Sequence, residues 1–377
     1  MTGAVGGQQY RPTLIQVVAR RSAEPDGVAD YALALARALR AYRDANSVFL
    51  SGTPAADARP VEDDWKTVCV PKRKAQVLAD TLRLLSAETN ARAVILHFSG
   101  YGYQKRGVPV WLVQGLRIWN RRAGRVPLLT IFHELYATGR PSQSAFWLSP
   151  LQREIARSIL NLSSAAITTT DLYSKRLSEW RDDNASKITA IPVFSNVGEP
   201  GCGLAPCART AAAIVFGRAG VEDRLFGIYR SEIERIISAL GIEKIFDIGP
   251  RLSTMPRTLA GVPIISEGVL PPGAVSERLQ RARFGLVAYP LDCIGKSGVF
   301  AAYATHGVVP IVLSDKADAF DGLQPVQHFL DGLRLGAGAG AQDLASIQRK
   351  LFTWYTSHSV KVHADFLLNS ISPLWRH

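Results

Sequence analysis

The chain has 377 residues, 47 % hydrophobic and 20 % charged, which excludes a disordered or collagen-like polymer and suits two globular domains of roughly 150–200 residues each. No apolar run reaches ~18 residues, so no spanning helix is expected. The formal charge of +12 is uneven, with 26 Lys+Arg against 16 Asp+Glu in residues 1–195 and 18 against 16 in residues 196–377, an asymmetry that suits an acidic partner on the N-terminal half.

The predicted elements alternate between short apolar runs and amphipathic helices. A buried strand at 14–19 (LIQVVA) is followed by a helix at 28–43, with apolar residues Val28, Tyr31, Leu35, Leu39 and Tyr42 at helical spacing. Strands are expected at 48–50 and 68–70, then a helix at 75–87, a strand at 93–98 and a helix at 110–122. A strand at 126–132, a helix at 151–162, a strand at 165–169, a helix from Thr170 or Asp171 to about Arg181, and a strand at 188–191 complete the first half. The stretch 192–209, rich in Pro and Gly and without periodicity, reads as a linker.

Alternation then resumes. Strands at 212–216, 244–248, 262–265, 284–289 and 308–313 are interleaved with helices around 225–240, 274–281 and 297–305, and residues 344–368 read as one or two closing helices. The fold expected is α/β, with two doubly wound, Rossmann-like domains facing a cleft. The division expected is 1–195, 196–340, and a helical tail at 341–377 closing the two domains. Met1 to Gly7 lacks the basic-then-apolar start of a secretory signal, and the four cysteines are too few for a disulfide framework. Both point to a cytoplasmic protein.

In doubly wound sheets ligands sit beyond the carboxyl ends of the strands, so the loops there are the candidates. The loop entering the first long helix carries Gly27, where the backbone turns tightly, and Asp30 follows in the helix. It lacks G-x-G-x-x-G, so a nicotinamide cofactor is not indicated. The strand at 93–98 ends in His97, Ser99, Gly100, Tyr101, Gly102 and Tyr103, residues suited to hydroxyl-rich ligands. The strand at 126–132 ends in His133 and Glu134, and a carboxylate beside a histidine can fix its tautomer. Ala137 breaks H-E-x-x-H, so a zinc protease is excluded.

In the second half, Gly217 and Arg218 follow the first strand, a pattern suited to phosphate. Asp292, Lys296, Ser297 and Gly298 open a helix whose amides favour anions. Pro290 breaks the P-loop spacing. No Asp-x-Asp is present, and Cys202 and Cys207 stand alone as a cysteine pair, so neither a metal nor another cofactor is indicated.

These pieces, in this order, resemble GT-B glycosyltransferases, in particular those related to glycosyltransferase family 4. The matching segments are Gly27-Val28-Ala29-Asp30-Tyr31, Phe132-His133-Glu134-Leu135-Tyr136, Ile191-Pro192-Val193-Phe194-Ser195-Asn196, Phe216-Gly217-Arg218, Lys296-Ser297-Gly298 and Gly307-Val308-Val309-Pro310-Ile311-Val312. They span about residues 20–315. Ser99 to Tyr103 is similar to a bacterial exopolysaccharide-type subgroup. The chain departs from the family's E-x7-E pair, with Ile294 and Ala302 at those places.

The resemblance implies retaining transfer of a sugar from a nucleotide diphosphate donor to a sugar or lipid-linked acceptor. His133, Arg218 and Lys296 are then the expected catalytic residues. Gly217, Arg218, Glu267, Gly268, Val269, Asp292, Lys296, Ser297 and Gly298 would hold the donor. Gly27, Asp30, His97, Tyr101, Tyr103 and Glu134 would face the acceptor. The missing glutamates leave a catalytically silent scaffold as an alternative, and the fold a sugar-nucleotide epimerase. No nucleic-acid recognition motif accompanies the basic half. In the helix at 110–122, Trp111, Leu112, Leu116 and Trp119 form one stripe, with Arg117 and Arg121 off it. That stripe faces either the core or an anionic membrane.

Overall fold

The computed structural model describes residues 11–21, 26–53, 64–122, 126–137, 142, 144–181, 188–201, 203–217, 223–250, 256–315, 321–336 and 343–375. They form two compact units: Met1–Thr168, Tyr173–Ala190 and Val360–His377 make unit 1, and Thr169–Leu172 and Ile191–Ser359 make unit 2.

The first run of elements is β1 (Thr13–Val18), α1 (Gly27–Arg43), β2 (Asn46–Ser51), β3 (Thr67–Cys69), α2 (Ala75–Thr89), β4 (Ala91–Phe98), α3 (Gly100–Tyr103) and α4 (Val110–Arg122). It continues with β5 (Leu128–Phe132), α5 (Ser144–Leu162), β6 (Ala165–Thr168), α6 (Asp171–Trp180) and β7 (Ile188–Ala190). The sheet order is β3-β2-β1-β4-β5-β6-β7, and every pairing is parallel. Leu14, Ile15, Val17 and Val18 of β1 are all buried, because helices cover both faces of such a sheet.

The second run is β8 (Thr210–Phe216), α7 (Arg230–Leu240), β9 (Lys244–Ile248), β10 (Thr258–Leu259), β11 (Val262–Gly268), α8 (Pro272–Arg281) and β12 (Ala282–Val287). It ends with α9 (Gly298–His306), β13 (Val309–Val312), β14 (Leu330–Asp331), α10 (Leu344–Thr356) and α11 (Val360–Ile371). The order is β10-β11-β9-β8-β12-β13-β14, parallel except for the β10–β11 hairpin. Strand order reverses between β1 and β4 in unit 1 and between β8 and β12 in unit 2. At such switch points the flanking loops diverge and leave a crevice.

The two-unit doubly wound architecture is the GT-B fold. Several boundaries differ from the sequence expectation. The helix expected around 225–240 is split into a π-turn at Asp223–Ile228 and α7, which restarts after Tyr229. Helix α5 begins at Ser144 and runs through Pro150 rather than starting after it. Strand β11 extends to Gly268, so Glu267 and Gly268 end a strand instead of forming a loop. The two-residue strands β10 and β14 were too short to show a period. The closing helices are two, and α11 belongs to unit 1.

The stripe of α4 faces the core: Leu112, Leu116 and Trp119 are at most 1 % exposed, whereas Arg117, Arg121 and Arg122 are exposed. The stripe therefore does not insert into lipid. Among the described residues no helix is long and apolar enough to cross a membrane.

Candidate active site

In unit 1 the ends of β1, β4 and β5 carry a buried chain of polar side chains. Gln16 sits in the middle of the apolar run of β1 and is wholly buried. Its amide nitrogen donates to Ser47 Oγ at 2.9 Å, and its oxygen lies 2.9 Å from His97 Nε2. The His97 and His133 rings are stacked, with centroids 5.5 Å apart and Nδ1 of His97 3.3 Å from Nε2 of His133. Burial, followed by the neighbouring His133, holds His97 well below the usual imidazole range, so it is neutral at pH 7. With Nε2–H donating to Gln16, the neutral His97 accepts at Nδ1. His133 then donates from Nε2–H.

Tyr31 of α1 lies edge-on to both rings, and its hydroxyl is 2.7 Å from Nδ1 of His363 on α11. Burial raises the Tyr31 hydroxyl far above its ordinary range, so it stays protonated and donates. A fixed tautomer held by packed neighbours is the usual means of presenting a histidine to a ligand.

Beside this chain lies a cavity of about 290 Å³, lined by Gly100, Tyr101, Gly107, Glu134, Leu135, Tyr136, Ala137, Gln152 and Tyr173. It joins the two strand-end segments singled out in the sequence, since Tyr101 comes from α3 and Glu134 follows β5. Gln152 is the clamp that holds them. It is 2 % exposed, donates to Tyr101 Oη at 3.0 Å and to the Arg106 carbonyl at 2.9 Å, and accepts from the Ala137 amide at 2.8 Å. Gly107 has φ +69°, and a Cβ there would come within 2.8 Å of the Gln152 amide nitrogen. Only glycine serves at that position. Glu134 accepts from Ser99 Oγ at 3.1 Å.

Other expected acceptor-side residues sit differently. Tyr103 is 1 % exposed and its hydroxyl bonds strand carbonyls, so it does not line the cavity. At α1 the Asp26 carboxylate accepts from the Val28 and Ala29 amides at 3.0 and 3.2 Å and from Arg20 Nε at 2.7 Å. Burial raises the Asp26 carboxyl, but Arg20 and those amides together hold it below its usual value. A negative charge of the chain's own thus already occupies the helix end beside Gly27, with Asp30 half-buried one turn on.

In unit 2, Gly217 follows β8, and a 3-10 turn at Leu291–Lys296 follows β12, so both lie at the switch point. Ser297 caps α9 by accepting from the Phe300 amide at 3.2 Å. Lys296 and Asp292, both half-buried, flank this helix mouth with Gly298. Arg218 lies outside the described residues. Glu267 is tied to Arg278 at 2.7 Å, and Val269 is exposed just beyond β11.

A residue that sequence reasoning missed stands over this turn. Asp321 accepts from the Asp171 amide at 2.7 Å, and a Cβ on Gly295 would come within its carboxyl oxygen's contact distance. Burial pushes Asp321 up to about 6, with the Asp171 charge adding to it against the Asp171 and Gly295 amides. Gln16 was visible as a polar residue inside LIQVVA. His363, Gln152 and Asp321 gave no local signal, since their roles depend on long-range contacts.

No protein-family model and no curated protein matches the chain. Solved structures do match over nearly its whole length. A glycosyltransferase from Rickettsia africae is 12 % identical with a TM-score of 0.63, covering 97 % of this chain and 99 % of that one. The lipopolysaccharide outer core galactosyltransferase WaaB is 10 % identical with a TM-score of 0.60, covering 96 % and 99 %. An alpha-glucosyltransferase in complex with UDP-glucose and DNA containing an abasic site gives the same values. At these identities the likeness is one of fold.

Proposed function

We propose that the chain is a glycosyltransferase that moves a sugar from a nucleotide diphosphate donor to a hydroxyl of a sugar or lipid-linked acceptor. The observation that carries this reading is the end-to-end likeness to glycosyltransferases, one of them binding UDP-glucose. Unit 2 is read as the donor unit. Lys296, the capped mouth of α9 and Arg218 would neutralise the diphosphate as its bond to the anomeric carbon breaks, which is where electrostatic catalysis gains most. The acceptor oxygen forms the new bond, and the nucleoside diphosphate leaves. His133, its tautomer fixed through His97 and Gln16, would position the transferred sugar. Retention of configuration and independence from divalent metal follow from the family resemblance and from the lack of Asp-x-Asp.

A place in exopolysaccharide assembly at the inner face of a membrane belongs to the same reading. Its membrane contact would use exposed residues of unit 1, namely Phe146, Trp147 and Leu151 of α5 with Arg117, Arg121 and Arg122 of α4. DNA belongs among the acceptors tested, because one similar structure holds DNA.

The test is release of nucleoside diphosphate from a panel of nucleotide sugars, with thermal shift as the binding readout. Lys296→Ala should weaken nucleotide diphosphate binding by ~1.5–3 kcal/mol and slow transfer at least as much. Inversion of the sugar without diphosphate release indicates an epimerase, and binding without turnover indicates a scaffold. Absence of both binding and turnover across the panel refutes the proposal.

A further inference from the structure

We infer that the acceptor carries a phosphate or carboxylate, held by Arg153 and Arg176, two arginines that pack against the ring of Tyr136, a residue lining the unit 1 cavity. This rests on the reading of unit 1 as the acceptor unit and narrows the class of acceptor. Tyr136 lines the cavity. The guanidinium carbon of Arg153, on α5, is 5.0 Å from the centroid of the Tyr136 ring, and that of Arg176, on α6, is 5.6 Å from it. Trp180 packs against Tyr136 with centroids 5.7 Å apart, and Arg153 is also 6.0 Å from the Trp180 ring.

Two cations brought to one ring repel each other. Among the described residues neither has a carboxylate within ion-pair distance, whereas Arg20, Arg43, Arg230, Arg278 and Arg334 all do. Contact with a ring face leaves guanidinium N–H groups for a ligand, and a guanidinium suits bidentate contact with phosphate or carboxylate. An anion bound by both would offset that repulsion.

The same cavity presents the Glu134 carboxylate, which repels an anion and accepts from hydroxyls. An acidic saccharide would lie with its charged group at Arg153 and Arg176 and its hydroxyls toward Glu134. Phosphate on a soluble sugar and phosphate on a lipid carrier share this chemistry.

The full chain is titrated by calorimetry with glucose, glucuronate and glucose 6-phosphate. The two acidic sugars should bind about tenfold or more tightly than glucose. The Arg153→Gln/Arg176→Gln double variant should lose that preference and keep its affinity for UDP. Equal affinity of the wild-type chain for all three sugars overturns the inference, whether or not the variant folds, and so does a preference that survives in a folded variant. Displacement of glucose 6-phosphate by vesicles containing phosphatidic acid, but not by neutral vesicles, assigns the anion to a lipid, and displacement by soluble sugar phosphates alone assigns it to a soluble acceptor. Anion preference without turnover of any nucleotide sugar leaves this site standing and removes the transferase reading. Transfer to neutral sugars with no anion preference does the reverse.

Discussion

Tyr103 in unit 1 and Tyr303 in unit 2 occupy the same place in two sheets built from different sequences. The β1–β4 ladder ends at Val17, and the Tyr103 hydroxyl lies 3.1 Å from the Val17 carbonyl and 3.2 Å from that of His97. The β8–β12 ladder ends at Ile214, and the Tyr303 hydroxyl lies 2.9 Å from the Ile214 carbonyl and 3.1 Å from that of Leu286. Each hydroxyl serves carbonyls that would otherwise be buried where the strands part. The backbone facing the two rings differs. A Cβ on Gly52 would be 3.2 Å from the Tyr103 ring, whereas one on Gly285 would be 2.5 Å from that of Tyr303. Unit 2 is closed by ring against bare backbone. Unit 1 is tight there too, by a smaller margin, and carries its histidines beside it.

Substituting these glycines tests that difference most strongly. Gly285→Ala should cost ~2–4 kcal/mol in urea unfolding, because the wholly buried Tyr303 has nowhere to move. Gly52→Ala should cost less, ~1–2 kcal/mol, and the reverse ranking would overturn the comparison.

Removing the hydroxyls probes what the units share. Tyr103→Phe and Tyr303→Phe should each cost ~1–1.5 kcal/mol. A neutral result in one unit alone would show that its carbonyls have another donor.

The smallest effect is a contrast in pH. Asp321 in unit 2 has its carboxyl raised to about 6 from 3.8, so the folded chain binds a proton there that the unfolded chain has released. Its effect on stability is therefore unfavourable above pH 6 and absent below about 4. Asp321→Asn should raise the melting temperature of unit 2 at pH 8, with the gain vanishing toward pH 4. Asp26 in unit 1 is lowered, so its contribution is favourable above 3.8 and lost as pH falls through its folded value. Asp26→Asn should lower the melting temperature at neutral pH. A pH-independent effect in either variant would assign it to packing.

The fold was legible because parallel strands covered on both faces read as continuous apolar runs, as in LIQVVA and AVILHF. The loops at their ends were legible for the same reason, and the structure brings Tyr101 and Glu134 onto one cavity. What could not be read was contact across the chain. Tyr31 looked like one more apolar helix position, yet its hydroxyl meets His363, 332 residues away. The tryptophan-and-arginine helix α4 was ambiguous because core-facing and lipid-facing stripes have the same period. Asp26 was passed over beside Gly27, although an aspartate before a helix is a common cap.

Helix α11 gives the chain an order of completion. It packs against α1, where Tyr31 meets His363 and Arg43 lies 3.3 Å from Asp365. Tyr31 thus meets His363 only once α11 has been made. Synthesis proceeds through all of β8 to α10 in the meantime. The Tyr31–His363 contact beside the paired histidines would therefore close only after β8 to α10 have been made, whereas Gln16, His97 and His133 come from β1, from β4 and from just after β5, all made long before.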